Sequence, residues 1–278
     1  MLHKTTAIIL KKIPYSESDL IVWWLTTEGK KQKGFAPAGR ISRKRFAGAL
    51  DLFNRVELVY SERKGDELFF LKSAALDKGM EGVRDDLSKF AVACYFAEMI
   101  LEFLQERQAL PDVYRMFDRF LQAIDGAGAL STPLIPLMEH QLLTLFGFQP
   151  SLSACGLCRR KISPDLQYFF DGRQGSVVCS RCSENLSVPG PGRAPSPGRA
   201  PSPGRAPTDS HPLSYEAISG LLASVEHDPS KWLSKGWEPS QGWKTDHVAQ
   251  TRRAFEYFIQ YTAGKPFKSL RFLSQILS

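Results

Sequence analysis

DLIVWWLTTEGKKQKGFAPAGRISRKRFAGALDLF, Asp19 to Phe53, holds two patterns in succession. In its first part Ile21, Trp23 and Leu25 alternate with Val22, Trp24 and Thr26. Successive strand side chains point to opposite faces, so one tryptophan must leave the interior of whatever the strand encloses. That residue either packs beneath a neighbouring element or offers a platform for bases or a partner. From Gly29 onward, Lys30, Lys31, Lys33, Arg40, Arg43, Lys44 and Arg45 stand among glycines and aromatics, with no acid until Asp51. A cationic run this dense is the footprint of a phosphate-binding surface, and equally of a solvated face.

Around this stretch the turn residues Pro14, Gly29, Gly39 and Lys64-Gly65-Asp66 divide the first 80 residues into five strands. The expected strands are Lys4 to Lys12, Asp19 to Thr26, Lys31 to Ala38, Leu52 to Ser61 and Glu67 to Ala75, enough for a small barrel. From Gly82 the period lengthens. Val83, Leu87, Phe90, Cys94, Ala97, Leu101 and Leu104 recur every three or four residues and predict a helix with that stripe facing a core, Cys94 being a small buried apolar residue. Further helices are expected from Asp112, as a cap, to Asp125, from Leu134 to Phe146, from Leu213 to Glu226, from Asp246 to Ala263 before Gly264, and from Ser269 to Leu277. Trp232, Trp237 and Trp243 fall in a polar loop. His140 has no companion ligand at helical spacing and reads as an ordinary partly buried or surface histidine.

The strongest local signal is Cys155-x2-Cys158, twenty residues, then Cys179-x2-Cys182. Two tight turns that each present two thiolates form a tetrahedral zinc site, and the YFF and SVV segments between them can pair as a hairpin. Four protein sulfurs leave no position for water or substrate, so one structural Zn2+ per chain is expected. Arg159, Arg160, Lys161 and Arg181 lie beside the cysteines, where they would touch phosphate or offset thiolate charge. Residues 191–208 are three hexapeptides, PGRAPS, PGRAPS and PGRAPT, too poor in apolar side chains to fold and therefore an extended linker. The chain thus reads as an α+β multidomain protein. A five-stranded barrel spans 1–80, a helical domain is built from 81–150 and 211–278, and into it are inserted a four-cysteine zinc module, 151–188, and the linker, 189–210.

Charge is segregated over the 278 residues. Lys and Arg against Asp and Glu number 15 and 9 in residues 1–80, 5 and 10 in 81–150, and 16 and 10 beyond, for a net charge of +7. A basic front and rear around an acidic middle favour a polyanionic partner. The start MLHKTTAIILKK lacks a small-residue cleavage site and reads as a strand, and no apolar run approaches the roughly 20 residues of a membrane span. A cytoplasmic, reducing setting is expected, which also turns paired cysteines toward metal. The sequence has no Walker loop, dinucleotide glycine fingerprint, His-Glu-x-x-His helix or Gly-x-Ser-x-Gly elbow, and Asp85-Asp86 and Asp165 with Asp171 resemble a helix start and a hairpin loop, so no catalytic residue is assigned.

Several segments together resemble the bacterial recombination mediator family RecO. They are ILKKIPYSESDLIVWWLTTEGKKQKGFAPAGRISRKRFAGALDLFNRVEL, LLTLFGFQPSLSACGLC, GSVVCSRC and YTAGKPFKSLRFL, spread over most of the chain outside the repeat. The resemblance implies an N-terminal OB-fold barrel, a helical domain, and a zinc module that some members retain. It further implies binding of single- and double-stranded DNA, annealing of complementary strands, contact with the acidic, apolar tail of single-strand binding protein, and work with RecR to help load RecA. A nucleoid-associated, non-enzymatic role in a bacterial cytoplasm follows. The PGRAPS insertion and GFAPAGRI depart from the family pattern.

On this reading Lys30, Lys31, Lys33, Arg40, Arg43, Lys44 and Arg45 hold phosphates, while Phe35, Phe46 and one of Trp23 or Trp24 stack unpaired bases. Arg252, Arg253, Lys265, Lys268 and Arg271 beside Phe255, Phe258 and Phe267 have the composition of a site for an acidic, apolar peptide, or of a packed amphipathic helix. Two other classes share parts of the pattern. One is a zinc-ribbon, OB-fold RNA-binding or ribosome-associated protein; the other is a DNA-processing enzyme, which would need divalent metal for turnover.

Overall fold

A computed structural model describes residues 1–62, 68–128, 130, 133–187, 210–225 and 243–276. The repeat linker, Trp232 and Trp237 lie outside the described residues. The chain divides into two compact units, Met1–Leu130 with Phe267–Ser278, and Ser131–Pro266.

In the first unit β1 (Leu2–Pro14), β2 (Leu20–Thr26), β3 (Lys31–Ala36), β4 (Arg55–Ser61) and β5 (Phe69–Lys78) close into a barrel of order β1-β2-β3-β5-β4. Closure depends on β1, whose residues 2–8 pair with β4 and whose residues 7–14 pair with β2, the β1–β2 ladder carrying an irregularity between Ile9 and Lys11. Such a bulge bends a strand enough to serve two neighbours. The remaining seam is the short parallel pairing of β3 with β5. Inside, Ile9, Val22, Trp24, Val56, Leu58 and Leu71 form the core, and Trp24 donates its indole N–H to Gln32 at 2.9 Å. Trp24 is therefore the inner tryptophan and Trp23, half-buried, the outer one.

The segment between β3 and β4 closes one end of the barrel. Phe46, Ala49 and Leu50 enter the barrel core, while Asp19 accepts the Ala38 N–H at 2.7 Å and is held below the usual carboxylate range chiefly by that bond. Burial of these three side chains makes the basic loop a fixed structure and not a loose arm.

Helices α1 (Glu81–Asp85), α2 (Leu87–Phe103) and α3 (Pro111–Asp125) follow the barrel, and α8 (Lys268–Ile276) joins them from the far end of the chain. Asp86 caps α2 by accepting from Ser88 and Lys89. Asp112 does not cap α3; it sits in the first turn, which begins at Pro111. The α2 stripe also differs from expectation. Leu87 is exposed and Phe90, Cys94 and Leu101 are half-buried, whereas Val92, Tyr95, Phe96, Met99, Ile100 and Phe103 are buried. The cause is that α2 packs against α1, α3, α8 and β1, so burial extends nearly all round and no single stripe is diagnostic. Glu98 accepts from the backbone N–H groups of Lys268 and Ser269 and from the Ser269 hydroxyl, capping α8.

The second unit combines α4 (Leu134–Leu145), β6 (Tyr168–Asp171), β7 (Ser176–Cys179), α5 (Ser180–Ser187), β8 (Ser210–Leu213), α6 (Tyr215–Val225) and α7 (Thr245–Ala263). Its sheet runs β7-β6-β8, the last strand adding to the expected YFF–SVV hairpin from beyond the repeat. Phe170 packs on Phe255 and Phe258 of α7, and Gly175, at φ +59°, leaves room for the Phe258 ring. His140 is wholly buried against Phe255 and not at the surface, and burial pulls it down to about 4. Trp243 donates its indole N–H to the Glu216 carbonyl.

Candidate nucleic-acid interface and metal centre

The seven cations of the basic run have four different fates. Lys31 points into its own unit, where its Nζ donates to the Leu101 carbonyl at 2.6 Å, near the C-terminal end of α2. Arg45 is tied back by a bond to the Pro37 carbonyl at 2.5 Å and lies over the Phe46 ring. Lys30, Arg43 and Lys44 are exposed, and among the described residues Arg43 and Lys44 have no ion pair or side-chain hydrogen bond. Arg40, also exposed, makes one long bond of 3.4 Å to the Ser16 carbonyl. Lys33 extends along the barrel wall, its Nζ 4.9 Å from the centre of the Trp23 ring.

Arg40 and Arg43 border a groove of about 990 Å³, floored by Leu20, Phe46 and Leu50 and edged by Ile41, 68% exposed. At its rim Lys12 pairs with Asp51 at 2.6 Å, so the acid that ends the cationic run is already neutralised. Phe46 is 1% exposed and holds the loop in the barrel; it is unavailable for stacking. Phe35 is half-buried on the outer wall, edge-on to Tyr15 at 5.5 Å and tilted against Phe70 at 6.0 Å. Lys11, Tyr15, Phe70 and Lys72 were not singled out by sequence reasoning, although the alternation in Phe69-Phe70-Leu71-Lys72 places Phe70 and Lys72 together on one strand face.

In the second unit the sulfurs of Cys155, Cys158, Cys179 and Cys182 lie within 4.8 Å of one another, close enough to hold one metal ion. Backbone geometry builds the first turn: Arg159 N–H donates to Cys155 O at 2.9 Å, Cys155 N–H to Arg160 O at 2.8 Å, and Arg159 adopts φ +60°. Gly156 packs closely there, and a Cβ would lie 2.6 Å from the Ser176 hydroxyl. Burial raises the Cys155 thiol, but backbone N–H groups of Cys158, Cys179 and Leu157 outweigh it and hold Cys155 down to about 6. Cys182 is pushed up to about 12, first by its bond to Cys179, then by burial and its other cysteine neighbours. One sulfur ionises readily and the last resists, the condition a dication relieves. The donor set therefore fits a soft, tetrahedral ion.

The residues expected to meet an acidic, apolar peptide are divided between the two units. Phe255 and Phe258 are core residues of the second unit, and Phe267 is buried against Tyr95 and Phe103 in the first. Arg253 and Lys265 are exposed and Arg252 half-buried on the second unit, while Lys268 and Arg271 are exposed on the first. Among the described residues no helix is long and apolar enough to cross a membrane.

Known proteins match the chain along nearly its whole length. Residues 1–79 match the family model for the recombination protein O N terminal region and residues 84–194 that for its C terminal region. The chain is 31% identical over 278 residues to the DNA repair protein RecO of Desulfatibacillum aliphaticivorans, covering 98% of this chain and 96% of that one. It is 31% identical over 273 residues to RecO of Anaeromyxobacter sp. strain K, with the same coverage. A further relative, RecO of Myxococcus xanthus, is 32% identical over 187 residues, 66% of this chain and 75% of that one. With both regions matched in order and identity sustained along nearly the whole length, the chain belongs to the RecO family of DNA repair proteins.

Proposed function

We propose that this protein is a non-enzymatic recombination mediator that binds single- and double-stranded DNA, anneals complementary strands, and acts with RecR to help RecA load onto DNA coated by single-strand binding protein. The observation that carries the reading is the fixed loop bearing Arg40, Arg43 and Lys44 beside an open groove, with Lys30 exposed near by in sequence. Cations on an immobile loop hold two phosphate backbones at little entropic cost and lower the repulsion between them. The barrel order β1-β2-β3-β5-β4, with β1 shared by both halves, supports its reading as an OB-fold. In the second unit, a zinc ion held by Cys155, Cys158, Cys179 and Cys182 supplies structural cross-linking with no open coordination position.

Annealing of complementary strands precoated with single-strand binding protein tests the reading, comparing wild type with an Arg40→Glu, Arg43→Glu, Lys44→Glu variant. The wild type is expected to anneal and the variant to fail. With Lys31, Lys33 and Arg45 engaged elsewhere, Lys30 and the loop cations Arg40, Arg43 and Lys44 remain exposed, and log affinity for single strands should fall with log salt at a slope of about −2.8 or steeper, at about −0.7 per phosphate. Binding that ignores salt, or equal annealing by the variant, would overturn the assignment. The same titration with RNA of matched sequence separates a DNA mediator from an RNA-binding protein.

A further inference from the structure

On the outer wall of the barrel two cross-strand rows stand side by side. In the first, Lys11 on β1 pairs with Trp23 on β2, which pairs with Lys33 on β3, and both ammonium groups lie over the indole, at 5.1 and 4.9 Å. In the second, Ile13, Ile21, Phe35 and Phe70 follow one another across β1, β2, β3 and β5. Tyr15, 66% exposed, stands edge-on to Phe35, and the Lys72 ammonium sits 4.3 Å above the Phe70 ring. The wall is thus aromatic and cationic by turns, and no carboxylate pairs with Lys11, Lys33 or Lys72 among the described residues.

We infer that this wall is a subsite for unpaired bases, distinct from the loop groove, and that it favours single-stranded over double-stranded DNA. The inference rests on the DNA-binding reading above and assigns the discrimination to particular residues. Bases inside a duplex present no open face, so stacking on Trp23 and Phe35 is available to single strands alone, whereas the loop cations meet phosphates of either form. The lysines suit this role. Each is parked on a ring in the free protein and can swing to a phosphate as a base takes its place, replacing an exposed cation–π contact by a stack plus an ion pair. An acidic, apolar peptide fits less well. Its apolar end needs a concave apolar pocket, whereas the Trp23 and Phe70 rings here each carry a lysine ammonium.

The test measures affinity of the full-length protein for an oligothymidine and for a duplex of equal length at one salt concentration, with Trp23→Ala, Trp23→Phe and the triple loop variant. Trp23→Ala should weaken single-strand binding about tenfold and leave duplex binding within about twofold, Trp23→Phe should restore most of the loss, and the loop variant should weaken both. Oligothymidine should also quench indole fluorescence in wild type more than in Trp23→Phe. No change in Trp23→Ala, or equal loss on both substrates, would overturn the wall subsite while leaving the loop reading intact. Failure of the wild type to bind either substrate would overturn the DNA reading itself. Displacement of the oligonucleotide by an acidic, apolar peptide that quenches Trp23 directly would assign the wall to a protein partner instead.

Discussion

Four cysteines and seven cations were the two densest chemical signals in this chain, and the fold treats them differently. The cysteine sulfurs come together within 4.8 Å: Cys155 and Cys158 share one tight turn, whereas the second pair is not on the expected turn, Cys179 ending β7 and Cys182 lying in the first turn of α5. The cations disperse. Lys31 goes to a helix end, Arg45 to its own loop, Lys33 to an indole, and Lys30, Arg40, Arg43 and Lys44 to solvent. Four thiolates that can share one tetrahedral ion have a common reason to converge. A run of lysines and arginines has no such reason, and each long side chain settles according to the nearest acceptor or ring.

The contrast is broken most severely by removing sulfur. Cys155→Ser with Cys179→Ser should reduce zinc from about one ion per chain to none. It should also unfold the second unit, because structural zinc contributes on the order of 10 kcal/mol in small modules. Metal analysis with calorimetry would show one lost transition, while the transition of the barrel unit persists. Retained zinc, or an unchanged melting profile, would mean that the four sulfurs do not hold the unit together.

Next in size is the difference between adjacent tryptophans. Trp24→Ala empties the barrel core and should cost about 3 to 5 kcal/mol, and Phe46→Ala, which unplugs the loop, should cost a similar amount. Trp23→Ala removes a half-buried ring from the outer wall and should cost about 1 kcal/mol or less. Urea midpoints for the three variants decide the matter. If Trp23→Ala proves as damaging as Trp24→Ala, the outer ring is a structural element and the wall loses its claim to bases.

Which parts of this were visible in the sequence follows from the range of the interactions. The alternation in Ile21 to Thr26 required one tryptophan in and one out, but the choice between them depends on Gln32 and Tyr60 around Trp24. The cysteine spacing is local and could be read directly. The α2 stripe was misleading because a helix packed on four elements has no polar face to set its phase. Nothing near Lys268 indicates that α8 returns to the barrel unit; its cap, Glu98, lies 170 residues earlier. Phe46, read as a possible base contact, is a core residue because the loop doubles back over the barrel end, a path that no periodicity encodes. The wall escaped notice since it exists only in the register that sets Lys11, Trp23 and Lys33 in one row.

A third measurement separates the two units by pH. His140 has its titration lowered from 6.5 to about 4 by burial, so between those values the unfolded chain binds a proton that the folded chain refuses. Its contribution is present in full above about pH 6.5 and is lost as the pH falls toward 4. At 1.36 kcal/mol per unit, this removes about 3 kcal/mol from the second unit. Calorimetry at pH 7 and 4.5 should show that unit melting earlier in acid, and His140→Gln should flatten the dependence. An equal acid sensitivity in His140→Gln would assign the effect to other groups.

The smallest expected effect bears most directly on how charge runs are read. Lys31 sits in the middle of the cationic stretch, yet its ammonium binds the Leu101 carbonyl, where the last turn of α2 leaves acceptors unsatisfied. Lys31→Met keeps the apolar stem and deletes the charge. It should cost about 1 kcal/mol of stability, the magnitude of a partly exposed charge-assisted bond at a helix C-terminus. DNA affinity and the slope against salt should both stay as in wild type, whereas Lys44→Met should leave stability unchanged and reduce the slope by about 0.7 on single strands. A Lys31→Met variant with a shallower slope would place its ammonium on phosphate in the complex, and would require the end of α2 to find another donor when DNA is bound.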